Sequence, residues 1–122
     1  VLGVGIDAVD VERMRVSLER TPGMRTRLFT PSELAYVERM ADSVPSLAAR
    51  FAAREAVMKA MGVGLGAFGF HDVWVERLEG GQPVLRIEAA AQRLADARGI
   101  GAWHLSLTHT DTVALAYVVA SS

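Results

Sequence analysis

The chain has 122 residues, 51% of them apolar, a formal net charge of −1 and no cysteine. That length suits a single domain spanning residues 1–122 with a core that needs no staples, and the missing cysteine excludes disulfides, thiolate metal sites and a cysteine nucleophile. Near-neutral charge argues against nucleic acid or an anionic membrane as partner, and with no bilayer-length apolar run and no secretion signature a soluble, cytoplasmic protein is expected.

In chain order, VLGVGIDAV reads as a buried strand ending near Asp7. Asp10 then caps a helix carrying Val11, Met14 and Leu18, which stops at Thr21-Pro22-Gly23. Thr30-Pro31-Ser32-Glu33 is a capping box with proline at the first helical position, so a second helix is expected to run to about Met40. The Ala-rich stretch from about Pro45 to Met61 predicts the longest helix, with Gly62 placed to end it. DVWVERLEGGQPVLRIE alternates on both sides of Gly80-Gly81 and predicts a β-hairpin. A short helix from Ala89 to Arg98 follows, then two strands, AWHLSLTH and TVALAYVVA, joined near Thr110-Asp111. Strand pairs separated by helices favour an α+β fold: a largely antiparallel sheet with a long central helix.

The long helix carries charge where an amphipathic helix would not. At about 100° per residue, Phe51 and Met58 share a line, Glu55 falls between them, and Arg54 and Lys59 flank it. Glu55 and Lys59 could form an ordinary surface pair four residues apart. A carboxylate sharing its face with Phe51 and Met58, however, is costly without a cation to meet it. Magnesium is one such cation, and it needs only one or two carboxylates beside water and phosphate oxygens. Asp7 is the second carboxylate on offer. Of the 13 basic residues only Lys59 is lysine, a compact point charge rather than a planar fork.

Taken together, GVGIDAVDVERM, RFAAREAVMKAMGVG, HDVWV with GGQPVLRI, and HLSLTHTD resemble the holo-(acyl carrier protein) synthase group of 4′-phosphopantetheinyl transferases, in order and spacing from Gly3 to Val119. The resemblance implies that fold. It also implies transfer of the phosphopantetheine arm of coenzyme A to a serine of apo acyl carrier protein, releasing adenosine 3′,5′-bisphosphate, in fatty acid biosynthesis. Magnesium would be required, and the enzyme would be a homotrimer binding coenzyme A between neighbouring subunits. A stand-alone enzyme and a domain of a larger synthase would share these motifs.

Residue by residue, the resemblance assigns the metal to Asp7 and Glu55 and the coenzyme A phosphates to Lys59, Arg50 and His109. Thr108 stands where the family commonly has serine, and Gly62, Gly64 and Pro83 are expected to shape the nucleotide pocket, although GVGLG also serves as plain turn chemistry. Arg13 would meet acidic residues of the carrier, and Phe51 its apolar surface. Arg13, Arg15, Arg20, Arg25 and Arg27 form a local basic cluster, although Glu12 and Glu19 could balance it as an ordinary solvated face. Arg50 could likewise lie on a solvated helix face, and His109 could be a strand-end histidine satisfied by its neighbours. His71 and His104 have neither zinc spacing nor a placed nucleophile and are expected to be structural. Arg54 stands where the family usually has lysine, so coenzyme A affinity is expected to differ. A non-catalytic binding module and a magnesium-dependent phosphohydrolase are the rival classes.

Overall fold

A computed structural model describes residues 1–122. Strand β1 (Gly3–Asp10) leads into helix α1 (Val11–Arg20), followed by α2 (Met24–Leu28), α3 (Pro31–Val37) and the long α4 (Val44–Met61). A single 3-10 turn (Phe70–Asp72) opens a hairpin of β2 (Val73–Arg77) and β3 (Pro83–Ile87). Helix α5 (Ala89–Ala97) and strands β4 (Ala102–His109) and β5 (Val113–Ser121) complete the chain. β1, β5 and β4 form an antiparallel sheet in that order, separate from the β2–β3 ribbon. This is the expected α+β architecture.

Helix α4 is central because it is buried on almost every side: twelve of its 18 residues are enclosed. One side packs into a core made with the sheet, the hairpin and α5, through Ala52, Ala56, Val57 and Met61. Its first half packs into a second core with α1, α2 and α3, through Val44, Leu47 and Ala48. Alanine at these positions lets neighbours come close without loss of helix propensity.

The closest approach is to β1. A Cβ on Gly5 would lie 1.9 Å from the carbonyl oxygen of Ala56, and one on Gly3 would lie 2.1 Å from that of Ala60. Only glycine lets a strand rest on a helix backbone at that distance.

Several boundaries differ from the sequence reading. β1 does not end near Asp7; it pairs with β5 along its whole length, from Gly3 opposite Ala120 to Asp10 opposite Val113. Asp7 therefore sits mid-strand, opposite Ala116. Nor is β1 buried, because it is a sheet edge with one face outward, leaving Val4 and Ile6 53% and 56% exposed. The Thr21-Pro22-Gly23 breaker is followed by α2, a helix the sequence did not announce. Gly23 stands at its N-terminus with φ of 90°. The capping box of α3 is present as expected, with reciprocal bonds between Thr30 and Glu33. That helix ends at Val37 rather than Met40.

Candidate active site

The close approach at Gly3 and Gly5 fixes what β1 and α4 can present together. Lys59 Nζ donates to the Ile6 carbonyl at 2.9 Å and to Asp7 Oδ1 at 3.1 Å. The expected pair between Glu55 and Lys59 thus gives way to a cross-element pair with Asp7, because β1 lies within reach of the lysine. Glu55 is left as a half-buried carboxylate beside them. Burial first, and then the Asp7 charge, push its pKa above the ordinary range, while Lys59 pulls it back. Two carboxylates and one mobile ammonium meet at one place.

These carboxylates line a groove of about 660 Å³ that also collects Arg13, Arg27, Phe51, Leu65 and Phe70. Phe51 and Phe70 stack their rings 6.3 Å apart in a tilted arrangement. Arg13 enters from α1, where its backbone N–H is fixed by the Asp10 cap at 2.8 Å. Asp7, Arg13, Phe51 and Glu55, as many as 48 residues apart in sequence, are brought to one surface.

No group of three or more histidine and carboxylate side chains forms a metal cage. Asp7 and Glu55 nonetheless fit magnesium, which takes few protein ligands. Two hard oxygen donors stand close enough for the Asp7 charge to raise the affinity of Glu55 for a proton, which is the electrostatic situation a divalent cation relieves.

Arg50, Thr108 and His109 lie elsewhere, in a cleft of about 330 Å³ that also involves Ser46, Arg77 and Asp42. The two cavities share no residue. Arg50 is not on a solvated helix face: it is 1% exposed. Its guanidinium lies 4.9 Å over the Tyr36 ring, its Nη1 donates to Ser46 Oγ, and its Nε stands 3.8 Å from Glu33 Oε2 without a hydrogen bond. Desolvation lowers its pKa, partly offset by Glu33 and reinforced by Arg77.

Gly62 and Pro83 line neither cavity. Gly62 ends α4 in a left-handed conformation, φ 69°, with its N–H returned to Lys59 and Met58 carbonyls. Pro83 begins β3 directly opposite Arg77, which does line the second cleft. His71 bonds to the Thr26 carbonyl at 2.8 Å and His104 to Ser121 Oγ at 3.3 Å, as structural residues would. Arg15, from the basic cluster, is engaged by Asp42 at 2.7 Å and Glu12 at 3.1 Å.

Arg54 also lines neither cavity. It is fully buried, donating through Nη1 and Nη2 to Glu33 at 3.1 and 2.5 Å and through Nε to the Phe70 carbonyl at 2.7 Å. Its fork serves packing, so the expected effect on coenzyme A affinity has no direct route. Glu33 is the residue the sequence undervalued. Besides the capping-box bond from the Thr30 backbone, it accepts from the Val75 backbone at 3.0 Å while holding Arg54.

The 4′-phosphopantetheinyl transferase superfamily model matches residues 3–118. The holo-[acyl-carrier-protein] synthase of Frankia alni is 50% identical over 124 aligned residues, covering 100% of this chain and 98% of that protein. Among solved structures, the holo-[acyl-carrier-protein] synthase of Neisseria meningitidis superposes with a TM-score of 0.90 at 31% identity, over 100% of this chain and 99% of that one. The Helicobacter pylori holo-[acyl-carrier-protein] synthase in complex with coenzyme A gives 0.82 at 27% identity, over 97% and 99%.

Proposed function

Since the chain belongs to the 4′-phosphopantetheinyl transferase superfamily, we propose that it transfers 4′-phosphopantetheine from coenzyme A to a serine of apo acyl carrier protein, giving holo acyl carrier protein and adenosine 3′,5′-bisphosphate. The observation that carries this is the meeting of Asp7 and Glu55, with Lys59 bound to Asp7, in a groove also lined by Arg13 and Phe51. It puts charge for a diphosphate beside a surface for a protein.

The carrier serine hydroxyl attacks the phosphorus that bears the pantetheine arm. A phosphodiester forms on the serine as the bond to the adenosine bisphosphate breaks. The hydroxyl proton passes to Glu55 or to water, and Glu55 accepts it only while it is not engaged by the metal. Lys59, with its side chain 55% exposed, can swing from Asp7 toward the phosphates as negative charge develops there. Asp7 and Glu55 would hold magnesium, which supplies further neutralisation of the diphosphate.

Arg13 meets acidic residues of the carrier, and Phe51 packs against its apolar surface. Arg50, Thr108 and His109 hold phosphates of coenzyme A. Arg50 and Glu55 project about 140° apart around α4, and their cavities are disjoint, so one coenzyme A molecule reaching both spans two copies of the chain. The outward apolar face of Val4, Ile6 and Tyr117, 53%, 56% and 46% exposed, gives such copies a surface to share. These features support an oligomer with coenzyme A between subunits, and the family resemblance makes that oligomer a homotrimer. A cytoplasmic setting accords with the absence of cysteine and of any helix long and apolar enough to cross a membrane.

The test is intact-protein mass spectrometry of apo acyl carrier protein incubated with the protein, coenzyme A and magnesium, beside a chelated control. A magnesium-dependent gain of one phosphopantetheine is expected. Coenzyme A left intact would indicate a binding module, and cleavage without transfer a hydrolase. Light scattering checks the assembly; an active monomer would refute the shared site.

A further inference from the structure

Arg54 lines neither cavity, yet one of its donors ends behind a wall of the groove that holds Asp7 and Glu55. Its Nε donates to the Phe70 carbonyl at 2.7 Å. The half-buried Phe70 ring lines that groove and stands 6.3 Å from the Phe51 ring. Nη1 and Nη2 take the Glu33 carboxylate as a fork, at 3.1 and 2.5 Å. The guanidinium carbon lies 5.3 Å over the ring of Phe29, which is fully buried. A planar cation held by a carboxylate along one edge and seated on an aromatic face has little freedom to turn. The direction of Nε is therefore set by the core, and with it the point to which the Phe70 main chain is tied.

Glu33 extends the same anchorage, because its Oε2 accepts from the Val75 N–H at 3.0 Å. One buried carboxylate thus ties β2 directly and Phe70 through Arg54, on either side of the 3-10 turn. The connection from α4 supplies no equivalent. It carries Gly62, Gly64, Gly66 and Gly69, and glycine leaves the backbone many conformations. Its one buried side chain, Phe68, packs into the core made with the sheet, away from Phe51. His71 joins the turn to the Thr26 carbonyl at 2.8 Å, but that bond is exposed and competes with water.

We propose that Arg54 is a positioning residue for carrier docking: by holding the Phe70 carbonyl it sets the Phe70 ring beside Phe51, so that the two rings make one apolar seat for the carrier next to Asp7 and Glu55. The proposal rests on the transferase reading for the identity of the partner. A lysine at position 54 meets the charge of Glu33 with a single nitrogen. It cannot serve both carboxylate oxygens and the Phe70 carbonyl in the planar arrangement of a guanidinium. The guanidinium at this position therefore acts on the carrier rather than on coenzyme A.

Steady-state transfer is measured with apo acyl carrier protein and coenzyme A varied in turn, for the wild-type protein, Arg54→Lys, Phe70→Ala and the double variant, with a urea midpoint for each. Arg54→Lys is expected to raise the KM of the carrier about ten-fold, the size of one lost charge-assisted hydrogen bond, and to leave the KM of coenzyme A unchanged. In the Phe70→Ala background the same substitution should add little, since the ring it places is gone. Equal increments in both backgrounds, equal effects on both substrates, or an unchanged carrier KM overturns the assignment. If Arg54→Lys does not fold, Glu33→Gln with Arg54→Gln removes both charges together and takes its place in the same cycle. Hydrogen exchange at the Asp72 amide, bonded to the Gly69 carbonyl at 3.0 Å, is followed alongside and should quicken in Arg54→Lys. Absence of transfer in the wild-type protein would remove the transferase reading; the exchange rate would then judge the anchorage of Phe70, and an unchanged rate overturns it.

Discussion

Gly5→Ala would add a single methyl group at the contact that brings Asp7 and Glu55 into one groove. The added Cβ would fall 1.9 Å from the Ala56 carbonyl oxygen and 3.0 Å from the Ala60 nitrogen. The first of these is about 1.5 Å inside ordinary contact. Both obstacles are helix backbone, so no rotamer can turn away; β1 and α4 must separate. Overpacking of this kind costs about 1–3 kcal/mol, and the upper end is expected because β1 is tied along its full length to β5. Separation also stretches the Lys59 bond to Ile6, now 2.9 Å, and moves Asp7 away from Glu55. A misplacement of about 1 Å can cost about 100-fold in rate. Urea denaturation should show a lower midpoint with unchanged slope, and transfer should fall by about that factor in kcat/KM. A variant with the wild-type midpoint and wild-type rate would refute the claim that glycine sets this spacing.

Other perturbations separate structural from catalytic roles. Glu33→Gln leaves Arg50 and Arg54 buried without a counter-charge; a loss of about 3–5 kcal/mol in urea stability is expected, and a loss below about 1 kcal/mol would contradict the central place given to Glu33. Glu55→Gln should abolish most transfer yet stabilise the metal-free protein at neutral pH. The raised pKa of Glu55 means that the folded state prefers the protonated form, so its contribution is full below the unfolded value near 4.3 and is lost as pH rises through the folded value. The stability gain of the variant should therefore shrink as pH falls toward about 4, and a pH-independent gain in thermal melts run with chelator would speak against a buried carboxylate. Arg13→Glu should raise the KM of the carrier far more than that of coenzyme A; equal effects would remove Arg13 from the docking surface.

Signals that are local in sequence were readable because the physics behind them is local. The capping box at Thr30-Glu33, the Gly62 stop of α4 and the alternation on either side of Gly80-Gly81 each depend on neighbours a few residues away, and each appears where expected. Helix α2 was missed because five residues carry no periodicity to detect. The sequence makes β1 look buried because glycine, valine and isoleucine are alike to a burial argument. In the structure the glycines face the helix, while Val4 and Ile6 face outward, as the two-residue period of a strand requires.

The site shows the same division. Composition could rank Lys59 as unusual and Glu55 as costly, but that Lys59 pairs with Asp7 rather than with Glu55 follows from a strand arriving from the far end of the chain. Glu33 hid behind its own capping box: a local role explained the residue, so nothing in the sequence asked for a second one. Yet the second role organises α4, because Arg54 on Glu33 fixes which way that helix is turned. With Arg54 inward, Glu55 must fall toward β1 and Arg50 toward the hairpin, as the rotation of about 100° per residue dictates. A single buried ion pair thus apportions the charges of one helix between a groove that Glu55 shares with Asp7 and Arg13 and a cleft that Arg50 shares with Arg77 and His109.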